Sequence, residues 1–341
     1  MKTYGRTMKE IRLSKGILLK ELIDEQLSMS LLSQFENEKT TISCERFHRL
    51  LSKLEVTFDE FIWIQTGNIF SASQLEIIEY VEYMDIESIT EWAKLEAKYH
   101  ELQNYYHDNY SLELDHLLQL FRFDLAMKKG IIEGTPLLTS YQKHSHYLDS
   151  AKHYLLNTET WGVYELKLFT RIAVGMEPAL LFRCLKIAIK KGQRFAKISG
   201  NKDILYQTFP TIFSAFCLVK EVAYAKNTFE LWKTRVFEDE HIEQAVFLPF
   251  YEGWIAFLED DLALAHRLMD QSLNHLETLG MLKSLTGYRR FKQLILTNEF
   301  PGIIVNDPLF GEFFDVKNYG SIIYGTDESK LILQSHFHFR Y

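Results

Sequence analysis

Apolar residues recur along this 341-residue sequence at the i, i+3 and i+4 spacing of an α-helix, and the two-residue alternation of a β-strand is nearly absent. Leu114–Leu125 and Phe247–Leu258 show the helical spacing clearly. With 47% hydrophobic residues, the chain is long enough for two domains and a large buried core. The sequence therefore predicts an all-α globular protein.

The first 66 residues predict short helices joined by tight turns. Apolar residues share one face in each of the first two predicted helices: Met8 and Ile11, then Leu19, Leu22 and Ile23. Hydroxyl side chains stand at the N-cap positions of three further helices: Ser28, Ser43 and Thr57, the last in a capping box with Glu60. Five short helices in this order are typical of a helix-turn-helix domain, in which one helix reads DNA.

The third predicted helix, from about Met29 to Asn37, is the candidate recognition helix. Such a helix enters the major groove with its N-terminal residues nearest the base edges. Gln34 is suited to pair with adenine and Met29 to touch a thymine methyl group. The residues predicted to contact bases or phosphates are Ser28, Met29, Ser30, Ser33, Gln34, Lys39 and Arg46. The alternative is that the polar members of this set are solvated positions without a partner.

Four segments carry a family resemblance: Leu27–Glu36 (LSMSLLSQFE), Thr41–Phe47 (TISCERF), Val56–Phe61 (VTFDEF) and Glu159–Phe169 (ETWGVYELKLF). The N-terminal part resembles the XRE (Cro-like) helix-turn-helix, in which Arg12 and Glu36 would form an interhelical ion pair. Together the segments resemble the Rgg/GadR/MutR family over about residues 4–295. The resemblance implies a cytoplasmic, usually dimeric transcriptional regulator of Gram-positive bacteria, whose C-terminal helical repeats often bind a short secreted peptide in quorum sensing.

The chain departs from the family pattern after the recognition helix, where Asn37 and Glu38 stand in place of a basic residue and glycine. Asn37 tolerates a left-handed conformation, whereas Glu38 adds repulsion near a phosphate. Residues 1–66 contain ten Lys/Arg and ten Asp/Glu, while the whole chain carries a net charge of −8. DNA contact is therefore expected from local groups, and a homodimer that binds two half-sites is expected to compensate.

The longer C-terminal part predicts a TPR-like α-solenoid over residues 74–299, after a linker at 67–73 and before an irregular extension at 300–341. Its clearest hairpin joins Glu243–Glu259 to Asp261–Leu279, with Gly253 and Ala265 where the backbones approach. Stacked hairpins form a concave groove suited to a peptide. The residues predicted to line it are Tyr164, Arg171, Phe213, Phe216, Phe250, Tyr251 and Trp254. The alternatives are core packing for each aromatic and a structural ion pair for Arg171.

Motifs of catalysis and of cofactor binding are missing from the sequence: it has no phosphate-binding glycine loop, no His-Glu-x-x-His and no nucleophile elbow. We therefore expect no enzyme, no cofactor and no metal. Without a signal-peptide core or a long apolar run, the protein is expected in the cytoplasm with no membrane partner. Cys44 is a candidate redox group or dimer cross-link. Two alternatives remain: a peptide-independent regulator that responds to pH or redox state, and a TPR-like protein-binding adaptor with a degenerate helix-turn-helix.

Overall fold

The computed structural model describes residues 2–67, 92–135, 137–192 and 204–297. All regular secondary structure in these residues is helical, which confirms the predicted all-α fold class. The chain divides into two compact units, Met1–Leu75 and Glu76–Tyr341. Most of the linker predicted at 67–73, and the extension predicted at 300–341, lie outside the described residues.

The N-terminal unit consists of α1 Tyr4–Ser14, a 3₁₀ turn Leu19–Leu22, α2 Met29–Glu36, α3 Cys44–Lys53 and α4 Phe58–Thr66. The predicted caps are confirmed, since the hydroxyls of Ser28, Ser43 and Thr57 each accept a hydrogen bond from a backbone amide three residues further on. Thr57 and Glu60 form the predicted capping box. Each α-helix after the 3₁₀ turn therefore begins where its cap predicts.

The second of the five predicted helices is only a single 3₁₀ turn. Ile23, predicted to lie on its apolar face, is extended and 38% exposed. The Asp24 carboxylate accepts hydrogen bonds from the amides of Gln26 and Leu27, which stabilises a local turn. Because that turn competes with helical hydrogen bonding, the helix stops after Leu22.

The core of this unit brings α1 against α2. Its buried apolar residues are Met8, Ile11, Leu22, Leu27, Leu32, Phe35, Phe47, Leu50, Leu51, Leu54 and Phe61. Gly5 lies directly on the end of α2, where a Cβ atom would overlap the carbonyl oxygen of Phe35. A glycine is therefore required for α1 to approach α2 this closely.

The second unit contains eleven α-helices in its described residues: α5 Trp92–Asp108, α6 Leu112–Ile132, α7 Leu137–His144, α8 Asp149–Asn157, α9 Val163–Ile172, α10 Pro178–Gly192, α11 Ile204–Leu218, α12 Val222–Glu238, α13 Ile242–Leu258, α14 Leu262–Thr278 and α15 Leu282–Thr297. Two 3₁₀ turns, Ser145–Leu148 and Ala173–Gly175, lie between them. One continuous apolar core extends from Leu120 to Ile295. Trp161 anchors the start of α9 in it: the indole is fully buried, donates to the Leu155 carbonyl (3.1 Å) and packs on Phe169.

The last five helices follow a regular repeat. Three-residue turns join them, and the central residue of each turn is left-handed: Lys220, Glu240, Asp260 and Gly280, spaced 20 residues apart (240 − 220). The amide after each central residue donates to a carbonyl five residues earlier: Glu221 to Phe216, His241 to Val236, Asp261 to Ala256, and Met281 to Leu276. This is the Schellman closure of a helix C-terminus. The same turn therefore recurs four times and builds a stack of antiparallel hairpins.

The predicted hairpin of α13 and α14 is confirmed. A Cβ atom on Gly253 would lie 2.9 Å from the Ala265 carbonyl oxygen, so the two backbones approach where the sequence has small residues. Pro249 lies inside α13 and has no amide hydrogen to donate. One residue on, the Ser272 hydroxyl from α14 accepts from the Phe250 amide (3.0 Å) and donates to the Val246 carbonyl (2.9 Å). A side chain of the partner helix thus replaces backbone hydrogen bonding next to the proline.

Candidate nucleic-acid interface and ligand site

Helix α2 exposes three of the residues predicted to read DNA and partly buries a fourth, Ser33. Met29 is 44% exposed, and Ser30 and Gln34 are also exposed, whereas Leu32 and Phe35 on the opposite face are buried. Gln34 Nε2 donates to Ser30 Oγ at 3.3 Å. This contact leaves the Gln34 carbonyl oxygen and one amide proton directed to solvent, the groups that a base edge would meet.

A buried ion pair holds the end of α2. Arg12 Nε donates to Glu36 Oε1 at 2.6 Å and Nη2 donates to Oε2 at 2.8 Å, while Nη1 reaches the Ile17 carbonyl at 2.8 Å. Arg12 and Glu36 are only 7% and 5% exposed. The hydrogen bond that Arg12 donates to Glu36 raises the pKa of Arg12. Two parallel hydrogen bonds fix the angle between α1 and α2, so the ion pair expected from the family resemblance is present.

The basic groups near α2 differ in their surroundings. Lys39 is exposed and Arg46 is partly buried. Arg49 and Lys53 instead lie 2.6 Å and 3.0 Å from the Asp24 carboxylate, and Arg49 lowers the pKa of that carboxyl. Asp24 therefore pairs with two cations on this side of the unit and offsets one of their two charges.

The turn after α2 differs from the expectation for Asn37. The left-handed residue is Glu38, with a φ of 62°, while Asn37 has a φ of −97°. Asn37 is held there because its side-chain amide donates to the Ser33 carbonyl (2.8 Å) and its Oδ1 accepts from Lys9 (3.1 Å). Sequence reasoning did not identify Lys9 as a group that fixes this turn.

The three cysteines have different environments. Cys44 is exposed at the first residue of α3, directly after the Ser43 cap, whereas Cys184 and Cys217 are buried. Burial raises the pKa of the Cys184 thiol to about 11, so it is not a reactive thiolate at neutral pH. Cys44 is thus the accessible thiol among the three.

Four of the aromatic residues predicted to line a peptide groove lie in the core instead: Phe213, Phe250, Tyr251 and Trp254 are at most 4% exposed. The Phe213 ring packs edge-on against the rings of Tyr251 (5.4 Å) and Trp254 (5.9 Å). Burial raises the pKa of Tyr251 to about 12. The helical periodicity predicts that these residues pack against another surface, and that surface is the neighbouring helix. Phe216 is also buried, but it forms part of a cavity floor.

Tyr164 and Arg171 are partly exposed on α9, at positions that place them on one face with Lys167. The Tyr164 hydroxyl lies 2.6 Å from Nδ1 of the buried His116 on α6. The pKa of Lys167 is lowered from 10.5 to about 8, mainly by burial and also by the positive charge of Arg171, while the negative charge of Glu113 opposes the shift. Two cations therefore lie close together in a poorly solvated place. Sequence reasoning missed Lys167, although its spacing from Tyr164 and Arg171 was visible.

Throughout residues 2–67, 92–135, 137–192 and 204–297, no three His, Cys, Asp or Glu side chains are arranged to hold a metal ion. No helix in these ranges is both long enough and apolar enough to cross a bilayer.

The fold and these sites define an all-α protein with a helix-turn-helix unit and a unit of stacked helical hairpins. The model of the family described as "HTH-type transcriptional regulator Rgg, C-terminal domain" matches residues 93–290. The chain therefore belongs to the Rgg family of helix-turn-helix transcriptional regulators, as the sequence resemblance predicted.

Solved structures share the fold over nearly their whole length. The SHP pheromone receptor Rgg2 of Streptococcus dysgalactiae is 19% identical, with 85% of this chain and 99% of that chain covered and a TM-score of 0.61. A PrgX/cCF10 complex is 12% identical, with 88% and 94% covered and a TM-score of 0.59. PlcR of Bacillus thuringiensis, in complex with the peptide PapR7 and DNA, is 11% identical, with 86% and 99% covered and a TM-score of 0.50.

Proposed function

We propose that this protein is a DNA-binding transcriptional regulator controlled by a short signalling peptide. The observation that carries the proposal is the exposed polar face of α2, which the buried Arg12–Glu36 ion pair holds in position. Membership of a family of transcriptional regulators supports regulation, and we assign the protein no catalytic step. We place it in the cytoplasm. We also propose that it is a homodimer, because the balanced charge of residues 1–66 favours two joined DNA contacts over one.

In this proposal α2 enters the major groove of a double-stranded operator. Met29, Ser30 and Gln34 face base edges, because they are the exposed residues of the first two turns. The remaining predicted contacts lie toward phosphates: Ser28, Ser33, Lys39 and Arg46. The N-terminus of α2 adds backbone amides that favour an anion. The similarity in fold to PlcR, which was solved with DNA, supports this class of partner.

The second unit binds the peptide through the face of α9 that carries Tyr164, Lys167 and Arg171. Two cations and a hydroxyl suit a carboxylate, either the peptide C-terminus or an acidic side chain. The similarity in fold to the pheromone receptor Rgg2, to PrgX in the PrgX/cCF10 complex and to PlcR in complex with the peptide PapR7 supports a peptide ligand. Contact with Phe213, Phe250, Tyr251 or Trp254 would require the core to open, so the proposal does not depend on them.

The DNA part is tested with a Ser30→Ala/Gln34→Ala double variant in a gel shift on DNA upstream of the protein's own gene. We expect affinity to fall by about tenfold or more, since each good base contact contributes about 1–3 kcal/mol. Ser52→Ala, an exposed serine on α3, is the matched control and should bind like the wild type. Equal affinity of the double variant and the control would contradict the assignment of α2.

The peptide part is tested by adding an extract of secreted short peptides to the same DNA complex. We expect the extract to change the affinity of the wild type, and Arg171→Gln to weaken that response without changing DNA affinity alone. A complex that responds instead to oxidant, and loses the response in Cys44→Ser, would favour the redox alternative. If no salt-dependent specific complex forms, the adaptor alternative is favoured.

A further inference from the structure

A cavity of about 230 Å³ opens on the second unit directly after α9. Four helical segments form it: α7, the turn that follows α9, the start of α10 and the end of α11. Its floor consists of buried apolar side chains, Met176, Leu181 and Phe216 among them. Ligand pockets that enclose a whole small molecule usually measure about 300–1,000 Å³, so this cavity has the size for one long side chain.

The rim of the cavity is acidic. Glu177 and Glu221 both line it, both are exposed, and neither forms an ion pair with a residue that the structure describes. The lining includes no lysine and no arginine. The rim therefore offers two carboxylates to a positively charged partner.

Two helix N-termini at the rim reduce this charge without cancelling it. Glu177 precedes Pro178, the first residue of α10, and Glu221 precedes Val222, the first residue of α12. A helix N-terminus acts as roughly half a positive charge. Two N-termini thus offset about one of the two negative charges, and about one negative charge remains.

We propose that this cavity binds a basic side chain, arginine or lysine, of the signalling peptide. Such a side chain buries an aliphatic stem on an apolar floor and keeps its charged head at a wet, acidic rim. The Phe216 ring and the partly buried Tyr141 ring add aromatic surface for a guanidinium plane. A purely apolar side chain would fill the floor but would partly desolvate Glu177 and Glu221 without a partner, which is unfavourable.

This inference rests on the proposed function, because the basic side chain is taken to belong to the signalling peptide. It adds the requirement that the peptide contain an arginine or a lysine. The segment from Ala173 to Glu177, which lines the cavity, directly follows α9, the helix that carries Tyr164 and Arg171. The peptide would then present an acidic group or its C-terminus to α9 and a basic residue to the cavity.

The first test uses small probes on the full chain. Saturation-transfer NMR compares Nα-acetyl-arginine methylamide with its neutral isostere, Nα-acetyl-citrulline methylamide. We expect the wild type to prefer the arginine probe by about tenfold, as two partly exposed ion pairs allow. Glu177→Gln/Glu221→Gln should lose the preference, and Glu230→Gln, an exposed glutamate on α12 outside the cavity lining, should keep it. Equal binding of both probes, or a preference that survives the double variant, would overturn the proposal.

The second test separates this inference from the proposed function. A random heptapeptide library is selected on the wild type and on the double glutamine variant. We expect the wild type to enrich peptides with an arginine or lysine at one position and the variant to lose that bias. Enriched peptides without a basic residue would overturn the cavity assignment and leave the peptide-controlled regulator standing. If the arginine probe is preferred only when both glutamates are present, and the library yields no enriched peptide, the cavity assignment stands and peptide control is contradicted.

Discussion

Lys167→Met should make the protein more stable and less responsive to its ligand. Lowering the pKa of Lys167 from 10.5 to about 8 corresponds to a cost of about 3 kcal/mol, at 1.36 kcal/mol per pKa unit. Because the side chain is partly exposed, solvent screening reduces this value, and we expect the free energy of unfolding to rise by about 1–3 kcal/mol at pH 7. Methionine keeps the aliphatic stem and removes the charge.

The pH dependence follows from the direction of the shift. Below pH 8 lysine is protonated in the folded and the unfolded protein, so the whole cost is present. Between pH 8 and 10.5 the folded protein loses its proton first, and the stability of the wild type rises toward that of the variant. Urea unfolding followed by tryptophan fluorescence at pH 7, 9 and 10.5 measures the difference. Lys190→Met, an exposed lysine on α10, should change the free energy of unfolding by less than about 0.5 kcal/mol.

Two results would refute this reasoning. One is a Lys167→Met variant that is less stable than the wild type at pH 7. The other is a difference between them that does not shrink between pH 8 and 10.5. If Lys167 also binds the ligand carboxylate, the wild type should lose peptide affinity as the pH rises through about 8, while the variant binds weakly at every pH.

Two further predictions concern stability. Glu36→Gln leaves the buried Arg12 without its carboxylate and should lower the free energy of unfolding by about 3 kcal/mol, whereas the double variant Arg12→Met/Glu36→Met should recover most of the loss. Thermal unfolding measures both changes. A Glu36→Gln variant as stable as the wild type would contradict a structural role for the pair. Glu240→Gly should stabilise the second unit by about 0.5–1 kcal/mol, because Glu240 has a φ of 50°, and Gly280→Ala should destabilise it by about 1 kcal/mol at the equivalent turn. A shift of the same sign in both turn variants would show that the backbone conformation is not the cause.

The sequence predicted those elements that local chemistry determines. Ser43 and Thr57 start helices because a hydroxyl at the N-cap satisfies an amide within the same turn. The sequence did not predict the 20-residue repeat, because only Gly280 of the four left-handed turn residues is a glycine. Residues such as Lys220 and Glu240 do not indicate a left-handed turn. The sequence left two outcomes open for Trp254, groove lining and core packing, since periodicity shows that a face is covered and not what covers it.

The charged groups at α2 and at α9 differ in how their charge is balanced. At α2, one guanidinium meets one carboxylate through two hydrogen bonds, so the pair is neutral and serves to fix an angle. At α9, Lys167 lies in the field of the like charge of Arg171 and of the opposite charge of Glu113, and burial lowers its pKa. Folding alone does not favour such an arrangement, because a neutral side chain would cost less. An unfavourable charge of this kind is typical of a site whose energy is recovered when a ligand of opposite charge binds.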